Sequence, residues 1–502
     1  MCRILVTDNK ENLKVAENIL KLGGPDEQNL MLYDDISYYH TRLTIQGTSK
    51  GSGKQPMTSK DLIFLYNGEI YNKKGLELKY LDGRIFKSDT ELIFELITNF
   101  GLKILSELEG MFALVIKIKG ESGYYLARDI FGKKPLYLKN SKKNWFISSQ
   151  YDWYSKEIDS NREIFNVFGF YPEPYTAYED VEAIEPGYVL KFVPGKELKK
   201  IYSLSNNNTR FDLKDSLISD VKIALAYSGG VDSSILSNLY KDQSIEHLSI
   251  GKLKENDSKK NNPILLSKKK YDSCRKEWKA LPGFNFSIDG FNIYTLSKIS
   301  RERGYKVIIT GTGGDELFSG YKQHKYFILL HLLSYFPPII LKVLSKKSGR
   351  FGRLDWLLEK RIKRKMRVYL SVKAIQRKKE VSLNKDLLYK INSIYEKRTK
   401  FFVRLGRERV FANLEMSIFL KSRLLRDSDY YSMMNGIEIR SPFLNQAVLN
   451  KINSNILLNS TILPNKLGSV VLFKTFRVLP RVFMKKEGFF IYTGINKKRS
   501  LL

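Results

Sequence analysis

Residues 223–234 read IALAYSGGVDSS, which is an apolar run followed by a Gly- and Ser-rich turn and the start of an apolar helix. Residues 307–317 read VIITGTGGDEL and repeat that order. Units in which a short strand runs through a turn into a helix indicate a parallel sheet covered by helices. We therefore predict an α/β domain in the second half of the chain, with mainly helical and very basic sequence after Tyr321.

The turn in the first unit is suited to binding an anion. Backbone N–H groups in such a turn and the N-terminus of the following helix attract negative charge, and Ser228, Ser233 and Ser234 add hydroxyl donors. Asp232 offers hard oxygen ligands of the kind that hold Mg²⁺ on phosphates. The turn is not a Walker A loop, because no Gly-Lys-Ser/Thr sequence ends it. A plain structural turn is the alternative.

The first 200 residues follow a different pattern. Short apolar runs separated by turn residues predict β-strands at 62–66, 123–127, 135–138 and 145–148. Asn67-Gly68 predicts a hairpin turn. Ser88 or Asp89 predicts the start of a helix with an apolar face formed by Leu92, Ile93, Leu96 and Ile97. The polar run 206–210 predicts a linker between domains at 2–200 and 201–502.

Cys2 directly follows the initiator methionine, and removal of that methionine would expose a free α-amine on Cys2. Such an amine titrates near ~8, so it can accept a proton at neutral pH. A thiol whose own amine serves as its base needs no histidine partner. The alternative is a chance cysteine at a disordered terminus.

Several motifs follow Cys2. They read YHTRLTI at 39–45, QPM at 55–57, NGEIYN at 67–72, SDTE at 88–91, EGMFA at 109–113, LARD at 126–129 and GKKPLY at 132–137. In this order they resemble the class II glutamine amidotransferase domain of glutamine-hydrolysing asparagine synthetases. The resemblance covers roughly residues 2–200 and implies an Ntn-hydrolase-like αββα sandwich with Cys2 as the nucleophile.

The resemblance also implies a glutamine site. Arg42 would fork onto the α-carboxylate of glutamine, and Asp89 and Glu69 would hold its α-ammonium. The side chain of Asn67 and the N–H of Gly68 would donate to the oxyanion that forms when sulfur attacks the amide. The implied glutamine-binding residues are Arg42, Leu43, Ile45, Asn67, Gly68, Glu69 and Asp89.

The second half resembles the synthetase domain of the same family. The turn at 228–234 is similar to the pyrophosphate loop of N-type ATP pyrophosphatases, and 311–321, 424–444 and 485–489 are similar to further family segments. The resemblance implies ATP as co-substrate, Mg²⁺ held by Asp232 and Asp315, and Lys486 as the residue that neutralises departing pyrophosphate. The implied ATP-binding residues are Tyr227, Ser228, Gly229, Gly230, Asp232, Ser233, Ser234, Ile250, Thr310 and Gly311.

Five departures from the family pattern stand out. Arg3 occupies a position where the family usually has Gly, and Gly23 one where it usually has the Arg of an Arg-Gly-Pro-Asp run. Thr312 replaces the Glu of many members, a candidate base for the attacking ammonia. The Lys-rich stretch 255–282 matches poorly, and the sequence ends soon after Phe489, where relatives usually continue. Substrate pockets depend on such segments, so they bear on the acceptor.

Three functions follow as hypotheses. The first is ATP-dependent synthesis of asparagine from aspartate with ammonia taken from glutamine. The second is the same chemistry on another carboxylate, such as a sugar uronic acid in surface polysaccharide assembly, which Thr312 and the divergent segment favour. The third, of another class, is a non-catalytic basic binding or scaffold protein, against which the intact Cys2, Arg42 and Asp232 count.

The composition narrows the setting. The net charge is +32, from 85 Lys and Arg against 53 Asp and Glu among 502 residues. Such an excess can serve nucleic acid or an anionic membrane, but no nucleic-acid-binding motif is recognisable, so we expect anionic small ligands. The only cysteines are Cys2 and Cys274, which implies no disulfide framework and favours the cytoplasm. An early acid, Asp8, argues against a signal peptide.

Residues 326–341 carry no charged side chain, yet they are too few for a membrane span and are interrupted by Pro337-Pro338. We predict a buried helix ended by the prolines, with an interfacial helix as the alternative. No transmembrane segment is expected. A peripheral membrane contact and a homodimer are left open.

Overall fold

The computed structural model describes residues 2–49, 51–154, 161–204, 212–243, 245–249, 266–282, 288–318, 323–346, 349–398 and 410–454. Three sequence predictions lie outside these residues: the linker at 206–210, the nucleotide contact of Ile250 and the role of Lys486. The poorly matching stretch 255–282 is described from residue 266 onward.

The described N-terminal residues form two antiparallel sheets. Their strands are β1 (Cys2–Thr7), β2 (Glu27–Tyr33), β3 (Ile36–Arg42), β4 (Met57–Thr58), β5 (Leu62–Ile70), β6 (Gly110–Ile118), β7 (Tyr124–Arg128), β8 (Tyr137–Lys139), β9 (Phe146–Ser148), β10 (Val181–Ala183), β11 (Tyr188–Phe192) and β12 (Lys199–Ser203). The first sheet has the order β10-β8-β9-β1-β3-β2 and the second β12-β11-β7-β6-β5-β4. The helices are α1 (Lys10–Gly23), α2 (Lys73–Tyr80), α3 (Asp89–Phe100) and α4 (Arg162–Phe168), with a 3-10 segment at Leu102–Glu107.

Side-chain alternation along β1 shows how these layers stack. Ile4 and Val6 pack with Ile63 of the second sheet, while Leu5 packs on the other face with Leu20 of α1. The outer face of the second sheet is covered by the predicted apolar face of α3, formed by Leu92, Ile93, Leu96 and Ile97. The layers are therefore helix, sheet, sheet and helix, which confirms the Ntn-hydrolase-like αββα sandwich.

Local signals placed α3 correctly. The Ser88 hydroxyl accepts a hydrogen bond from the Glu91 N–H at 3.2 Å, so Ser88 caps the helix.

The predicted turn at Asn67-Gly68 is wrong, because both residues lie inside β5, opposite Ala113 and Phe112 of β6. A Cβ on Gly68 would stand 2.2 Å from the Met111 carbonyl oxygen, so Gly68 permits a close approach of two strands and does not form a turn.

The second part contains the predicted parallel sheet. Its strands are β13 (Ile223–Ala226), β14 (Glu246–Leu248), β15 (Val307–Ile309) and β16 (Glu438–Arg440), paired in parallel in the order β14-β13-β15-β16. Strand β13 has β14 on one side and β15 on the other, and the carboxyl ends of strands at such a point are where open α/β sheets bind their ligands.

Helices make up most of the rest. They are α5 (Val231–Leu239), α6 (Lys268–Lys279), α7 (Ile288–Glu302), α8 (Gly314–Phe318), α9 (Gln323–Leu333), α10 (Pro338–Ser345), α11 (Arg364–Lys373), α12 (Lys385–Arg398), α13 (Val410–Leu414), α14 (Arg426–Met433) and α15 (Gln446–Ser454). Short 3-10 segments lie at Leu213–Leu217, Gly349–Leu358 and Lys378–Glu380. Glu415–Leu425 is a π-helix that joins α13 to α14 in one continuous helical segment.

The uncharged stretch 326–341 is not the buried helix that we predict from its sequence. Helix α9 ends before the prolines, as expected, but Pro338 then begins α10. Phe327 and Leu341 are buried, and Leu330, Leu333 and Leu344 are partly buried against the core. The large apolar side chains of this pair that are at least 40% exposed are Leu329, Leu332, Tyr335, Phe336, Ile339, Ile340 and Val343. Each short helix thus covers the core with one face only. Among the described residues, none of the helices combines the length and apolar character needed to cross a membrane.

Candidate active site

The candidate nucleophile lies at the start of β1. Strand pairing sets Cys2 opposite Arg42 of β3, and the Cys2 backbone nitrogen donates to the Asn67 side-chain oxygen at 3.0 Å. The Cys2 side chain is only 7% exposed. Sheet register therefore brings together three residues that are far apart in the sequence, Cys2, Arg42 and Asn67.

Burial raises the pKa of the Cys2 thiol, although Arg42 and a hydrogen bond from the Leu43 backbone oppose the shift. The thiol is therefore protonated at neutral pH and needs a base. Burial also lowers the pKa of nearby His40 to about 3, which makes it a poor proton acceptor. This environment is compatible with the α-amine of Cys2 as the base.

Asn67 has the geometry of an oxyanion donor. The residue is fully buried, and its side-chain nitrogen has no hydrogen-bond partner among the described residues, whereas its oxygen is taken by Cys2. A buried amide N–H without a partner costs about 1–3 kcal/mol. A negative oxygen formed next to Cys2 would remove that cost.

The residues proposed for the α-carboxylate of glutamine lie on β3 and the loop that follows it. The Arg42 guanidinium pairs with Glu27 at 3.3 Å and donates to the Gln46 and Gly47 carbonyl oxygens at 3.0 and 3.1 Å. Leu43 and Ile45 are buried beside it. These contacts hold the cation in one orientation at the Cys2 end of the strand.

The two carboxylates proposed for the α-ammonium have different surroundings. Asp89 accepts hydrogen bonds from the Tyr66 hydroxyl at 2.7 Å and the Ile70 N–H at 3.1 Å. Glu69 instead accepts from Gln46 and lies 3.4 Å from the Arg440 guanidinium. Burial raises the pKa of both carboxyl groups. Their roles toward glutamine stay predictions.

The proposed nucleotide loop leaves β13 and begins α5. The Ser233 hydroxyl lies 3.2 Å from the Ser228 hydroxyl and donates to the Gly230 carbonyl oxygen at 3.1 Å, and the Gly230 N–H donates to the Ser228 hydroxyl at 3.4 Å. The Tyr227 and Ser234 hydroxyls are 3.4 Å apart. These serines close a tight turn at the N-terminus of α5, and helix N-termini are places where anions commonly bind.

The second glycine motif packs directly against this loop. A Cβ on Gly311 would stand 2.8 Å from the Asp232 Cβ, and one on Gly314 would stand 2.6 Å from the Asp232 carboxyl carbon. Thr310, on the same segment, donates its N–H to the Arg440 carbonyl oxygen at 2.9 Å. The structure thus assembles Asp232, Thr310 and Gly311 at the carboxyl ends of adjacent strands, and Asp315 follows Gly314 on α8.

Within the described ranges, His, Cys, Asp and Glu side chains form no cluster of three or more that could hold a metal ion. Mg²⁺ commonly binds through one or two carboxylates and completes its shell with substrate phosphates and water. Asp232 and Asp315, beside the proposed anion-binding turn, would fit that mode.

Sequence reasoning did not single out the buried charged residues that lie between the two halves of the chain. The Lys133 ammonium donates to the Leu444 carbonyl oxygen at 2.8 Å, and burial lowers its pKa to about 8. Arg440 reaches Glu69 on one side and Glu438 at 2.5 Å on the other. The sequence carried a partial signal, because Lys133, Glu438 and Arg440 all lie inside recognised motifs.

Two of the departures from the family pattern are one structural feature. A Cβ on Gly23 would stand 2.8 Å from both Cγ and Nε of Arg3, so the Arg3 side chain fills the space above Gly23. Arg3 points away from the Cys2 side chain, because consecutive residues of a strand face opposite sides. It does not crowd the thiol, and instead its guanidinium pairs with Asp429 at 2.5 Å.

Comparisons with known proteins agree with this geometry. Residues 1–203 match the glutamine amidotransferase domain family and residues 286–454 the asparagine synthase family. Asparagine synthetase [glutamine-hydrolyzing] 1 of Bacillus subtilis is 26% identical over 88% of this chain and 77% of its own. A putative asparagine synthetase [glutamine-hydrolyzing] of Methanocaldococcus jannaschii is 26% identical over 67% and 78%.

A solved glutamine phosphoribosylpyrophosphate amidotransferase from B. subtilis is 15% identical, with a TM-score of 0.31 over 62% of this chain and 81% of that one. The two family matches together span more than half of the chain. With its glutamine amidotransferase domain followed by an asparagine synthase domain, this chain belongs to the glutamine-hydrolysing asparagine synthetase family of ATP-dependent amidotransferase ligases.

Proposed function

We propose that this enzyme makes asparagine from aspartate, with ammonia taken from glutamine at Cys2 and ATP consumed at the 228–234 loop. The observation that carries the glutaminase half is the contact of Cys2 with Asn67, whose side-chain nitrogen is buried without a partner. Aspartate as the acceptor is supported by the relatives, which are named asparagine synthetases.

In the first step, the Cys2 sulfur attacks the side-chain amide carbon of glutamine. The thiol proton passes to the Cys2 amine and then to the departing nitrogen, which leaves as ammonia. Asn67 donates to the negative oxygen of the tetrahedral intermediate. Water then hydrolyses the thioester and releases glutamate.

In the second step, the acceptor carboxylate attacks the α-phosphorus of ATP and expels pyrophosphate. Ammonia attacks the resulting acyl carbon, and AMP leaves. The 228–234 turn would hold the phosphates, and Asp232 and Asp315 would hold Mg²⁺, which when bound neutralises phosphate charge.

A sugar uronic acid is the second candidate acceptor. The Thr312 hydroxyl lies 3.0 Å from the Thr310 hydroxyl, beside the Gly311 segment. A hydroxyl cannot take the proton of attacking ammonia at neutral pH, so this position lacks the base that a Glu would supply.

Other parts of the proposal remain predictions. They are the domain limits at 2–200 and 201–502, a cytoplasmic location, a homodimer and the absence of a nucleic-acid partner.

The deciding experiment measures AMP and pyrophosphate from the purified protein with ATP, Mg²⁺ and glutamine in the presence of single carboxylates. We expect AMP with aspartate, together with asparagine in equal amount. AMP only with a free or nucleotide-linked uronic acid would establish the second candidate. If no carboxylate in a broad panel elicits AMP, the synthetase proposal fails, whatever the glutaminase activity.

A further inference from the structure

The proposed mechanism requires removal of Met1, which would make Cys2 the first residue of the mature enzyme, where a catalytic atom is hard to hold in place. Chain termini are poorly ordered unless contacts tie them down. The loss of even about 1 Å of precision in a reacting group can cost ~10²-fold in rate. The residue that follows Cys2 is therefore a natural place for an anchor.

Arg3 provides such contacts from the face of β1 opposite the thiol. Its guanidinium donates to one carboxylate oxygen of Asp429 at 2.5 Å, and the other oxygen accepts from the Lys134 ammonium at 3.2 Å. All three side chains are at most 2% exposed. Asp429 lies on α14 in the synthetase half, whereas Arg3 and Lys134 belong to the glutaminase half.

The same synthetase segment touches the other strand of the candidate site. Arg440 of β16 is fully buried and pairs with Glu69, which follows Asn67-Gly68 on β5. Residues 429–440 thus contact both strands that carry candidate catalytic atoms. The matched domain of glutamine amidotransferases ends at residue 203, well before these residues.

We propose that Asp429 is a positioning residue for glutamine hydrolysis, acting through Arg3 to fix the backbone of Cys2. Arg3 faces away from the Cys2 thiol and pairs with Asp429, so both residues would act through β1. This inference rests on the proposed role of Cys2. It explains why Gly23 and Arg3 occur together, since a side chain at position 23 would fill the space that the Arg3 side chain occupies.

Arg3→Gly is the first test, because it leaves Asp429 and Lys134 as a balanced buried pair. Deleting Asp429 would instead leave two buried cations unpaired, which is strongly destabilising. For glutamine hydrolysis we expect the kcat of Arg3→Gly to fall roughly tenfold or more, while KM stays within about twofold. A variant that stays folded and keeps the wild-type kcat overturns the proposal.

Restoring a guanidinium from the other position makes the test specific. In the double variant Arg3→Gly/Gly23→Arg, the new arginine side chain begins in the space that the Arg3 side chain occupies in the wild type. We therefore expect most of the lost kcat to return. Gly23→Arg alone places two cations in one space, and we expect it to lower the melting temperature. No recovery of kcat in a folded double variant counts against an anchor at Asp429.

Two further variants close the remaining gaps. Lys306→Gln is the matched control, because it removes an ion pair with Asp26 at 2.7 Å that also joins the halves but is about a quarter exposed. We expect its kcat to be unchanged. If Arg3→Gly does not fold, Arg3→Gln is the substitute, because glutamine keeps most of the volume of the arginine side chain and, like glycine, leaves Asp429 paired with Lys134 alone. A wild-type kcat in Arg3→Gln overturns the inference. A wild-type enzyme without any glutaminase activity would instead refute the proposed function.

Discussion

The proposed glutaminase site and the proposed nucleotide site are built in opposite ways. In the glutaminase site, strand register brings Cys2, Arg42 and Asn67 together, and all three are buried. In the nucleotide site, loops after two parallel strands meet because Gly311 and Gly314 leave room for Asp232. A site on strands depends on the whole sandwich for its precision, whereas a site on loops depends on a few glycines. Variants should therefore separate the two sites cleanly.

Cys2→Ala should have the largest effect. Without a nucleophile, glutamine hydrolysis should fall by roughly 10³-fold or more, whereas AMP formation with added ammonium should continue. Asp232→Asn should show the reverse, with AMP formation lost and glutamate release retained. Assays of both activities in both variants check this. Loss of both activities in Cys2→Ala would contradict the separation of the sites.

Asn67→Ala should come next. Removal of one oxyanion donor typically costs about 10²–10³-fold in kcat, and the loss of the contact with the Cys2 nitrogen adds to it. We expect KM for glutamine to change little, because the proposed donor acts on a charge that forms only during reaction. Steady-state glutamate release measures both constants. A large rise in KM with normal kcat would assign Asn67 to substrate binding instead.

Gly68→Ala tests the dependence of the first site on its sheet. The new methyl would meet the Met111 carbonyl oxygen at 2.2 Å, and a backbone atom of a paired strand cannot move aside, so we expect roughly 1–3 kcal/mol of destabilisation or more. The control is Gly75→Ala in α2, where a Cβ meets nothing within 4 Å and should be neutral or slightly stabilising. Urea unfolding of both variants gives the comparison, and equal stabilities would show that β5 and β6 can separate.

The smallest expected effect is on the pH dependence of stability in acid. Burial alone would raise the pKa of Asp429, but Arg3 and Lys134 hold it below its usual range. The stability that ionised Asp429 contributes is therefore present above its unfolded pKa of ~3.9 and is lost as pH falls through the lower folded pKa. We expect the stability difference between wild type and Arg3→Gly to narrow below about pH 4. A difference that is constant from pH 3 to 7 would contradict an ionic contact.

Much of the candidate site could be predicted because its signals are local. The Ser88 cap, the apolar face of α3 and the strand–turn–helix unit around Ser228 are read from neighbouring residues, and the structure has each element where it was expected. The prediction of a turn at Asn67-Gly68 was wrong because it used only such local signals. Its sequence is typical of hairpins, and only pairing with β6 over nine residues overrides that preference.

By itself, the sequence determined the order of the motifs, the thiol at position 2, the parallel sheet and the family. In the sequence, Arg3 and Gly23 are two departures from the family pattern with no visible relation to each other. Only the tertiary structure decided that these residues share one space, that Arg3 meets an acid 426 positions away, and that Arg440 reaches Glu69. The physical reason is that helix caps and strand periods arise within a few residues, whereas buried ion pairs depend on how distant segments pack.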